Sequence, residues 1–226
     1  MIFVSRQAYP GALELLRKMD ETVCVGSLKG PSEPVSCHAD LLYCRLGAGP
    51  EAPVFRGSEE KLGPVYPSDC PYNAAVMGRY FIHQLKVTDE VLLKAAEAYI
   101  LERYGGPMIP VMVRQAYTKC SMAVIDDSHA VTSDRGIASA LEKSTDIRCL
   151  VIEPGSISLP PYNTGFIGGC CGRVGDAVVF NGGLDTHPEG AKIRAFIESC
   201  GLSVLDIPGA PLFDIGSIIS GTPAQA

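Results

Sequence analysis

Short apolar runs and amphipathic stretches alternate along this chain in an order that recurs. Short runs bounded by glycine, proline and polar residues predict strands, whereas apolar residues three and four positions apart predict helices. The clearest copy predicts strands at 73–77 and 80–83, a helix at 88–104 and a strand at 109–113. The two strands of the pair flank a tight turn at Gly78-Arg79. The repeated unit is therefore a strand hairpin, a helix and a third strand.

Other parts of the chain repeat this order in whole or in part. A third copy is predicted over 120–152 and a fourth over 170–205, while the first begins with a strand over 35–44. The last copy consists of one predicted strand at 211–219. The N-terminal segment, 1–25, contains a strand, a helix and a strand that would complete that last copy. We therefore expect the two ends of the chain to meet.

Five residues hold equivalent places near the start of the five copies. These anchors are Cys37, Asn73, Cys120, Cys171 and Asp214. Their spacings of 36, 47, 51 and 43 residues are typical of radial or stacked arrays. A closed ring also removes exposed sheet edges. The pattern predicts an α/β fold, a five-fold pseudo-symmetric ββαβ propeller that spans 1–226 as a single domain, with the anchors around one central pocket.

Composition and charge narrow the class of partner. The chain has 226 residues, of which 46% are apolar and 19% charged, and its formal net charge is -6. This acidic balance argues against nucleic acid or an anionic membrane as a partner. With neither a secretion signal nor a long apolar run in the sequence, we expect a cytoplasmic protein that binds a small molecule and needs no cofactor.

Cysteine is abundant, since the chain contains nine. The number is odd and there is no C-x-x-C pair, so neither a disulfide framework nor a common zinc motif is predicted. The densest cysteine stretch is Gly168-Gly169-Cys170-Cys171-Gly172-Arg173. Adjacent strand residues point to opposite faces, so only one of the two cysteines can line a pocket, and the repeat favours Cys171. Arg173 lies two residues further and could share its face, where it would bind a carboxylate or phosphate.

The sequence Cys37-His38-Ala39-Asp40 places a thiol, an imidazole and a carboxylate within four residues. His38 and Asp40 share a face of an extended strand, so His38 could act as a general base oriented by Asp40. A polar strand end beside a loop is the structural alternative. The sulfurs of Cys37, Cys120 and Cys171 could instead converge with His38 on zinc or iron.

A five-fold ring of this kind, closed by its own termini, resembles the pentein family, the α/β-propeller of the guanidino-group-modifying enzymes. The resemblance covers essentially the whole chain, is carried by the repeat, and is strongest to the small bacterial members. The family includes arginine and agmatine deiminases, dimethylarginine hydrolases and amidinotransferases, and a related ring occurs in a non-catalytic ribosomal factor. It implies that a cysteine attacks a guanidinium carbon, a histidine moves protons and carboxylates hold the cationic substrate.

The family places its nucleophile in the last copy, where this chain has Asp214, and no cysteine follows Cys200. We therefore expect a nucleophile in another copy, with Cys171 and His38 as the reacting pair and Asp40 as the orienting group. The residues expected to contact substrate are Asn73, Cys120, Cys170, Arg173, Asp214 and Cys37. The predicted function is a cysteine-dependent hydrolase or transferase of a guanidino or amidino compound. The alternative is a non-catalytic ring that binds a small ligand or a partner.

Overall fold

The computed structural model describes residues 1–223, and within them fifteen short strands form five three-stranded sheets. The strands are β1 (Ile2–Ser5), β2 (Thr22–Val25), β3 (Tyr43–Arg45), β4 (Pro53–Arg56), β5 (Ala75–Met77), β6 (Tyr80–His83), β7 (Ile109–Met112), β8 (Met122–Val124), β9 (His129–Thr132), β10 (Arg148–Val151), β11 (Cys171–Val174), β12 (Ala177–Phe180), β13 (Ser203–Leu205), β14 (Ile219–Ser220) and β15 (Thr222–Pro223). The helices are α1 (Pro10–Met19), α2 (Glu90–Tyr104), α3 (Thr118–Ser121), α4 (Arg135–Ser144) and α5 (Gly190–Ser199).

All five sheets share one topology. In each, the first strand runs antiparallel to the second, and the second runs parallel to the third. The sheet orders are β3-β4-β15, β5-β6-β7, β8-β9-β10, β11-β12-β13 and β14-β1-β2. In four sheets a helix joins the parallel pair, as a parallel connection requires. The predicted five-fold ββαβ repeat is confirmed.

The first strands form a closed ring. Each contacts the next in the order β3, β5, β8, β11, β14 and back to β3. The N-terminal β1 pairs with β14 and so completes the last sheet, as predicted. The C-terminal β15 pairs with β4 and supplies the third strand of the first sheet, a contribution that the polar sequence there did not indicate. Both ends of the described chain therefore close the ring.

Local sequence explains why α2 forms where it does. The Asp89 carboxylate accepts hydrogen bonds from the backbone N–H groups of Val91 and Leu92, at 2.9 and 3.1 Å, and so caps the first turn. Gly105 ends the helix in the left-handed region at a φ of 65°. The face formed by Leu92, Ala96 and Ile100 is buried, and it joins a core cluster with strand residues of its own sheet. Equivalent apolar clusters fill the other copies.

Three predicted strands are replaced in part by turns, a short helix or a loop. The 35–44 segment contains two 3₁₀ turns, Glu33–Val35 and Ala39–Leu41, before β3 begins. The predicted strand at 120–125 starts with the short helix α3, because the Asn73 side-chain oxygen accepts hydrogen bonds from the first N–H groups of that segment. The predicted strand at 211–219 is a loop as far as β14. Within residues 1–223, no helix is both long enough and apolar enough to cross a bilayer.

Candidate functional site

A cavity of 390 Å³ opens beside the loops that precede the first strands. Its floor is polar and its rim is apolar, with Val65, Tyr66 and Tyr162 among the exposed rim residues. The residues that line it are Ser32, Val35, His38, Pro64, Val65, Tyr66, Asp69, Tyr117, Cys120, Leu159, Tyr162, Thr164, Phe166 and Asp214. Neither lysine nor arginine is among these lining residues. The volume suits a small organic molecule.

The floor brings together an imidazole, a thiol and a carboxylate from three different copies. His38, Cys120 and Asp214 each offer one ligand or reacting atom, and these atoms lie within 4.8 Å of one another. His38 Nδ1 is 4.0 Å from Asp214 Oδ1. All three side chains are buried, with at most 2% of any of these residues exposed. The ring thus assembles, from residues far apart in sequence, a group that can attack, move protons and hold a cation.

Asp40 lies directly behind the thiol. Cys120 Sγ donates to Asp40 Oδ2 at 2.8 Å, and Ser217 Oγ lies 2.5 Å from the same oxygen. Lys119 Nζ in turn donates to Ser217 Oγ at 3.2 Å. Asp40 Oδ1 and His38 Nε2 are buried and have no hydrogen-bond partner among the described residues. Buried polar atoms are rarely left unsatisfied, so these two atoms mark where a ligand or water would bind.

Asn73 fixes the position of the thiol. Its Oδ1 accepts hydrogen bonds from the N–H groups of Lys119 and Cys120, at 2.8 and 3.2 Å, and so starts α3. Its Nδ2 donates to the backbone oxygen of Asp40 at 3.2 Å and lies 3.5 Å from Cys120 Sγ. One amide therefore holds the Cys120 segment and the Asp40 segment together.

Burial shifts the pKa values of the floor groups in the direction that favours their uncharged forms. Burial raises the pKa of Asp214 to about 6 and lowers the pKa of His38 to about 4. Burial, together with the nearby Asp40 carboxylate, raises the pKa of the Cys120 thiol well above its usual range, and burial also raises the pKa of Asp40. In the absence of a ligand, the thiol and the imidazole are therefore both neutral at pH 7. A cation placed among them would favour the ionised thiol and carboxylates.

One wall of the cavity was not predicted from the sequence. Asp69 is buried, and its Oδ2 accepts a hydrogen bond from the Tyr117 hydroxyl at 2.5 Å. The Tyr117 ring lies 5.3 Å from the ring of Tyr66 and 6.5 Å from that of Phe166. These residues lie in loops outside the repeating pattern, and the cluster of proline, tyrosine and aspartate over 64–72 was the one available signal. The wall combines a carboxylate with aromatic faces, which together attract cations.

Two glycines permit the close packing of this floor. A Cβ on Gly169 would overlap Asp214 Oδ1, and a Cβ on Gly216 would overlap the His38 side chain. Gly216 also adopts a φ of 69°, which favours glycine. The backbone N–H of Gly216 and that of Phe166 donate to the Asp214 carboxylate, at 3.0 and 2.9 Å. Gly169 and Gly216 therefore allow Asp214 and His38 to approach.

The remaining predicted site residues lie outside this cavity. The Sγ atoms of Cys170 and Cys171 both lie 3.2 Å from the Ile167 backbone oxygen and are buried in an apolar cluster. Cys37 Sγ lies 3.6 Å from the Ser27 hydroxyl. Cys171 begins a strand and packs into the core, whereas Cys120 lies on a helical turn that aims it inward. The repeat aligns Cys120 with Cys171 but does not show this difference in local structure, which is why it favoured Cys171. Arg173 lines a second cavity.

The side chains of His38, Cys120 and Asp214 could also bind a metal ion. The structure does not bring together the zinc or iron ligands suggested from the sequence, three cysteine sulfurs and His38. Of those cysteines, Cys37 and Cys171 lie away from the cavity floor. Nitrogen, sulfur and oxygen donors from His38, Cys120 and Asp214 are nonetheless ligands that zinc accepts. A second set, Asp126, His129 and Cys200, lies at the surface, where His129 Nδ1 is 2.9 Å from both Asp126 oxygens.

Comparison with known proteins gives two solved structures of distant likeness and one family. The structure is similar to a dimethylarginine dimethylaminohydrolase adduct with 4-chloro-2-hydroxymethylpyridine, with 11% sequence identity, a TM-score of 0.49 and 91% of each chain covered. It is also similar to a dimethylarginine dimethylaminohydrolase from Pseudomonas aeruginosa, a cysteine-to-serine mutant complexed with citrulline. That second match has 13% identity, a TM-score of 0.46, and covers 87% of this chain and 78% of the other.

Both solved structures are enzymes of the pentein family that the sequence resembles, and at this level of identity the likeness concerns the fold alone. A search of the curated proteins found no match. A family model described as a family of unknown function, DUF6873, matches residues 52–219. Because that match covers well over half of the sequence, the chain belongs to the DUF6873 family.

Proposed function

We propose that this protein is a cysteine-dependent hydrolase or transferase of a small guanidino or amidino compound, with Cys120 as its nucleophile. The observation that carries the proposal is the position of the thiol. Cys120 lies on the floor of the cavity with His38 and Asp214, and its proton is directed at Asp40. In this proposal Cys120 takes the role that the repeat suggested for Cys171.

The walls of the cavity support a cationic substrate. Asp69 and Asp214 supply carboxylates, while Tyr66, Tyr117 and Phe166 supply aromatic faces. A planar amidinium or guanidinium can stack on such rings and donate paired hydrogen bonds to a carboxylate. The cavity has no lysine or arginine in its lining to repel that charge.

Substrate binding would activate the nucleophile. Without a ligand, burial and the Asp40 charge keep the thiol protonated. The positive charge of the substrate stabilises the thiolate, so the thiol proton can pass to Asp40 Oδ2, which already accepts its hydrogen bond. This arrangement restricts the reactive form of the cysteine to the occupied site.

The reaction would then proceed in two stages. The sulfur of Cys120 forms a bond to the amidinium carbon, and the bond from that carbon to one nitrogen breaks as the departing amine receives, through His38, the proton that Asp40 accepted from the thiol. Water next forms a bond to the same carbon while His38 takes its proton, and the carbon–sulfur bond breaks to regenerate the thiol. The net change consumes one water and yields an amide or urea and an amine. A transferase would use a second amine in place of water.

A non-catalytic binding function is the second candidate. The observation that favours it is the raised pKa of Cys120, because a thiol that stays protonated is a poor nucleophile. In that case the cavity would hold the same class of cation without forming a bond to it. The two candidates share a ligand and differ in covalent chemistry.

The test is a turnover and trapping experiment with guanidino and amidino compounds of different chain length. Amine release is followed together with the intact mass of the protein, which reveals a covalent adduct. We expect at least one compound to give turnover that Cys120→Ser abolishes and Cys171→Ser retains. Binding without adduct or turnover would favour the non-catalytic function. Turnover retained in Cys120→Ser would overturn the assignment of the nucleophile.

A further inference from the structure

A second cavity lies on the axis of the ring, and all five first strands contribute to it. It is lined by Arg45 of β3, Val76 of β5, Val124 of β8, Arg173 of β11 and Ile219 of β14, among others. Its volume is 30 Å³. This is room for about two water molecules or one small ion. This axial cavity shares no lining residue with the proposed catalytic cavity.

Within residues 1–223, three basic residues and no acidic residue line this cavity. Arg45, Arg173 and Lys119 are its charged residues. Lys119 precedes Cys120, so consecutive residues line opposite cavities, one basic and the other acidic. The ammonium of Lys119 is held on the Asp40 side, where its Nζ donates to Ser217 Oγ and to the backbone oxygen of Gly168, at 3.2 and 3.3 Å, so the two arginines supply the charge that faces the second cavity.

The two arginines use neutral partners. Arg45 Nη1 and Nη2 donate to the backbone oxygens of Arg173 and Gly49, at 3.0 and 2.7 Å. Arg173 Nε and Nη1 donate to the backbone oxygens of Gly175 and Ile125, at 2.9 and 3.3 Å. Neither arginine forms an ion pair with a carboxylate in the part of the chain that the structure describes. Carbonyl oxygens satisfy hydrogen bonds but do not neutralise charge.

Arg45 carries the clearest sign of a missing partner. Its Nε is buried and has no hydrogen-bond acceptor within residues 1–223. Burial and the neighbouring charge of Arg173 lower the pKa of Arg45 to about 10. The nearby carboxylate of Asp127 does not accept a hydrogen bond from Arg45. It accepts hydrogen bonds from Gly78 N–H at 3.0 Å and from the Tyr104 hydroxyl at 2.7 Å.

We infer that the axial cavity between Arg45 and Arg173 is a binding site for one small anion of the size of chloride. Such an ion would reduce the repulsion between two guanidinium groups in a partly buried space. The orphan Nε–H of Arg45 supplies a donor. The small volume excludes an extended ligand and selects a single compact anion.

The test uses the intact protein and ³⁵Cl NMR, in which a bound chloride broadens the resonance of the free ion. We expect excess broadening that saturates as chloride increases and that bromide displaces. Arg45→Gln and Arg173→Gln should each reduce the chloride affinity at least threefold. The exposed Arg17→Gln is the matched control and should leave it unchanged.

Two outcomes overturn the inference. One is the absence of saturable broadening with the unmodified protein, a result that does not depend on any variant. The other is equal broadening in all three variants, provided circular dichroism shows that they are folded. If Arg45→Gln does not fold, Arg45→Lys replaces it, because lysine keeps the charge but lacks the Nε–H, and a weaker affinity is again expected.

Discussion

The Sγ atom of Cys120 lies 2.8 Å from Oδ2 of Asp40, a residue 80 positions earlier in the chain. This contact gives the proposed nucleophile a proton acceptor before any ligand binds. The same carboxylate raises the pKa of the thiol, so that the acceptor also keeps the thiol protonated while the cavity is empty. In the proposed function a cationic ligand reverses that balance, which would tie the reactivity of the cysteine to occupancy of the site.

Asp40→Asn should separate these two effects. Without the carboxylate, the pKa of Cys120 should fall toward its usual range, yet turnover should drop about 10²-fold or more because the proton acceptor is lost. The pH profile of Cys120 alkylation, read by peptide mass spectrometry, measures the first effect. Asp176→Asn, at an exposed turn, is the control. A pH profile equal to that of the unmodified protein would contradict the role given to Asp40.

Asp69→Asn should weaken the binding of a cation. Asparagine keeps the hydrogen bond from Tyr117 but removes the negative charge that faces the cavity. We expect the affinity for benzamidine, measured by calorimetry, to fall about tenfold, a loss of about 1.4 kcal/mol. Benzamide, its neutral analogue, should bind both proteins equally weakly. A cation affinity unchanged by the substitution would remove Asp69 from the site.

Two buried histidines should make the fold sensitive to acid. Burial lowers the pKa of both His38 and His83 to about 4, from 6.5 in an unfolded chain. Between these values the unfolded state binds more protons, so the free energy of unfolding falls as the pH falls. Each histidine should cost about 2.5 kcal/mol between pH 7 and pH 4.5.

Asp214 acts in the opposite direction. Its pKa of about 6 exceeds the unfolded value of 3.8, so the native state binds the extra proton and gains stability as the pH falls through 6. The gain is about 2 kcal/mol by pH 4.5. Asp214→Asn should therefore increase the loss of unfolding free energy between pH 7 and pH 4.5, and His83→Gln should decrease it. Urea unfolding at pH 7 and at pH 4.5 measures this loss in the unmodified protein and in the two variants. An equal loss in all three proteins would contradict these pKa shifts.

Gly169→Ala should damage the floor of the cavity. A Cβ there would overlap the Asp214 carboxylate, which is held from both sides by backbone N–H groups and cannot retreat. We expect a loss of about 1–3 kcal/mol in the free energy of unfolding, together with loss of cation binding. Gly26→Ala is the matched control, since its Cβ would meet no atom within 4 Å. Equal stability of the two variants would show that the floor is not tightly packed.

Much of this architecture could be predicted from the sequence. The period of the hydrophobic pattern indicated five copies, and the unfinished last copy indicated ring closure by the N-terminal strand. Asp214 and His38 line one cavity, because the ring topology brings the start of each copy together. The roles predicted for His38 as a general base and for Asp40 as its orienting group remain predictions.

The orientation of each anchor side chain could not be predicted in this way. The choice between Cys120 and Cys171 depends on a helical turn that an amide 46 residues away initiates through the N–H of Lys119. Strand periodicity contains no information about such a contact. Asp69 and Tyr117 lie in loops whose course is set by tertiary packing, so neither period nor spacing marked them.

The most direct test compares 2-chloroacetamidine with 2-chloroacetamide, two electrophiles of the same shape of which only the first is a cation. Peptide mass spectrometry at pH 7 follows alkylation at each of the nine cysteines. We predict that the amidine modifies Cys120 at least ten times faster than the amide does, that benzamidine protects it, and that Cys171 stays unmodified. Equal rates for the two reagents at Cys120, or preferred modification of Cys171, would contradict the proposal that a cation activates Cys120.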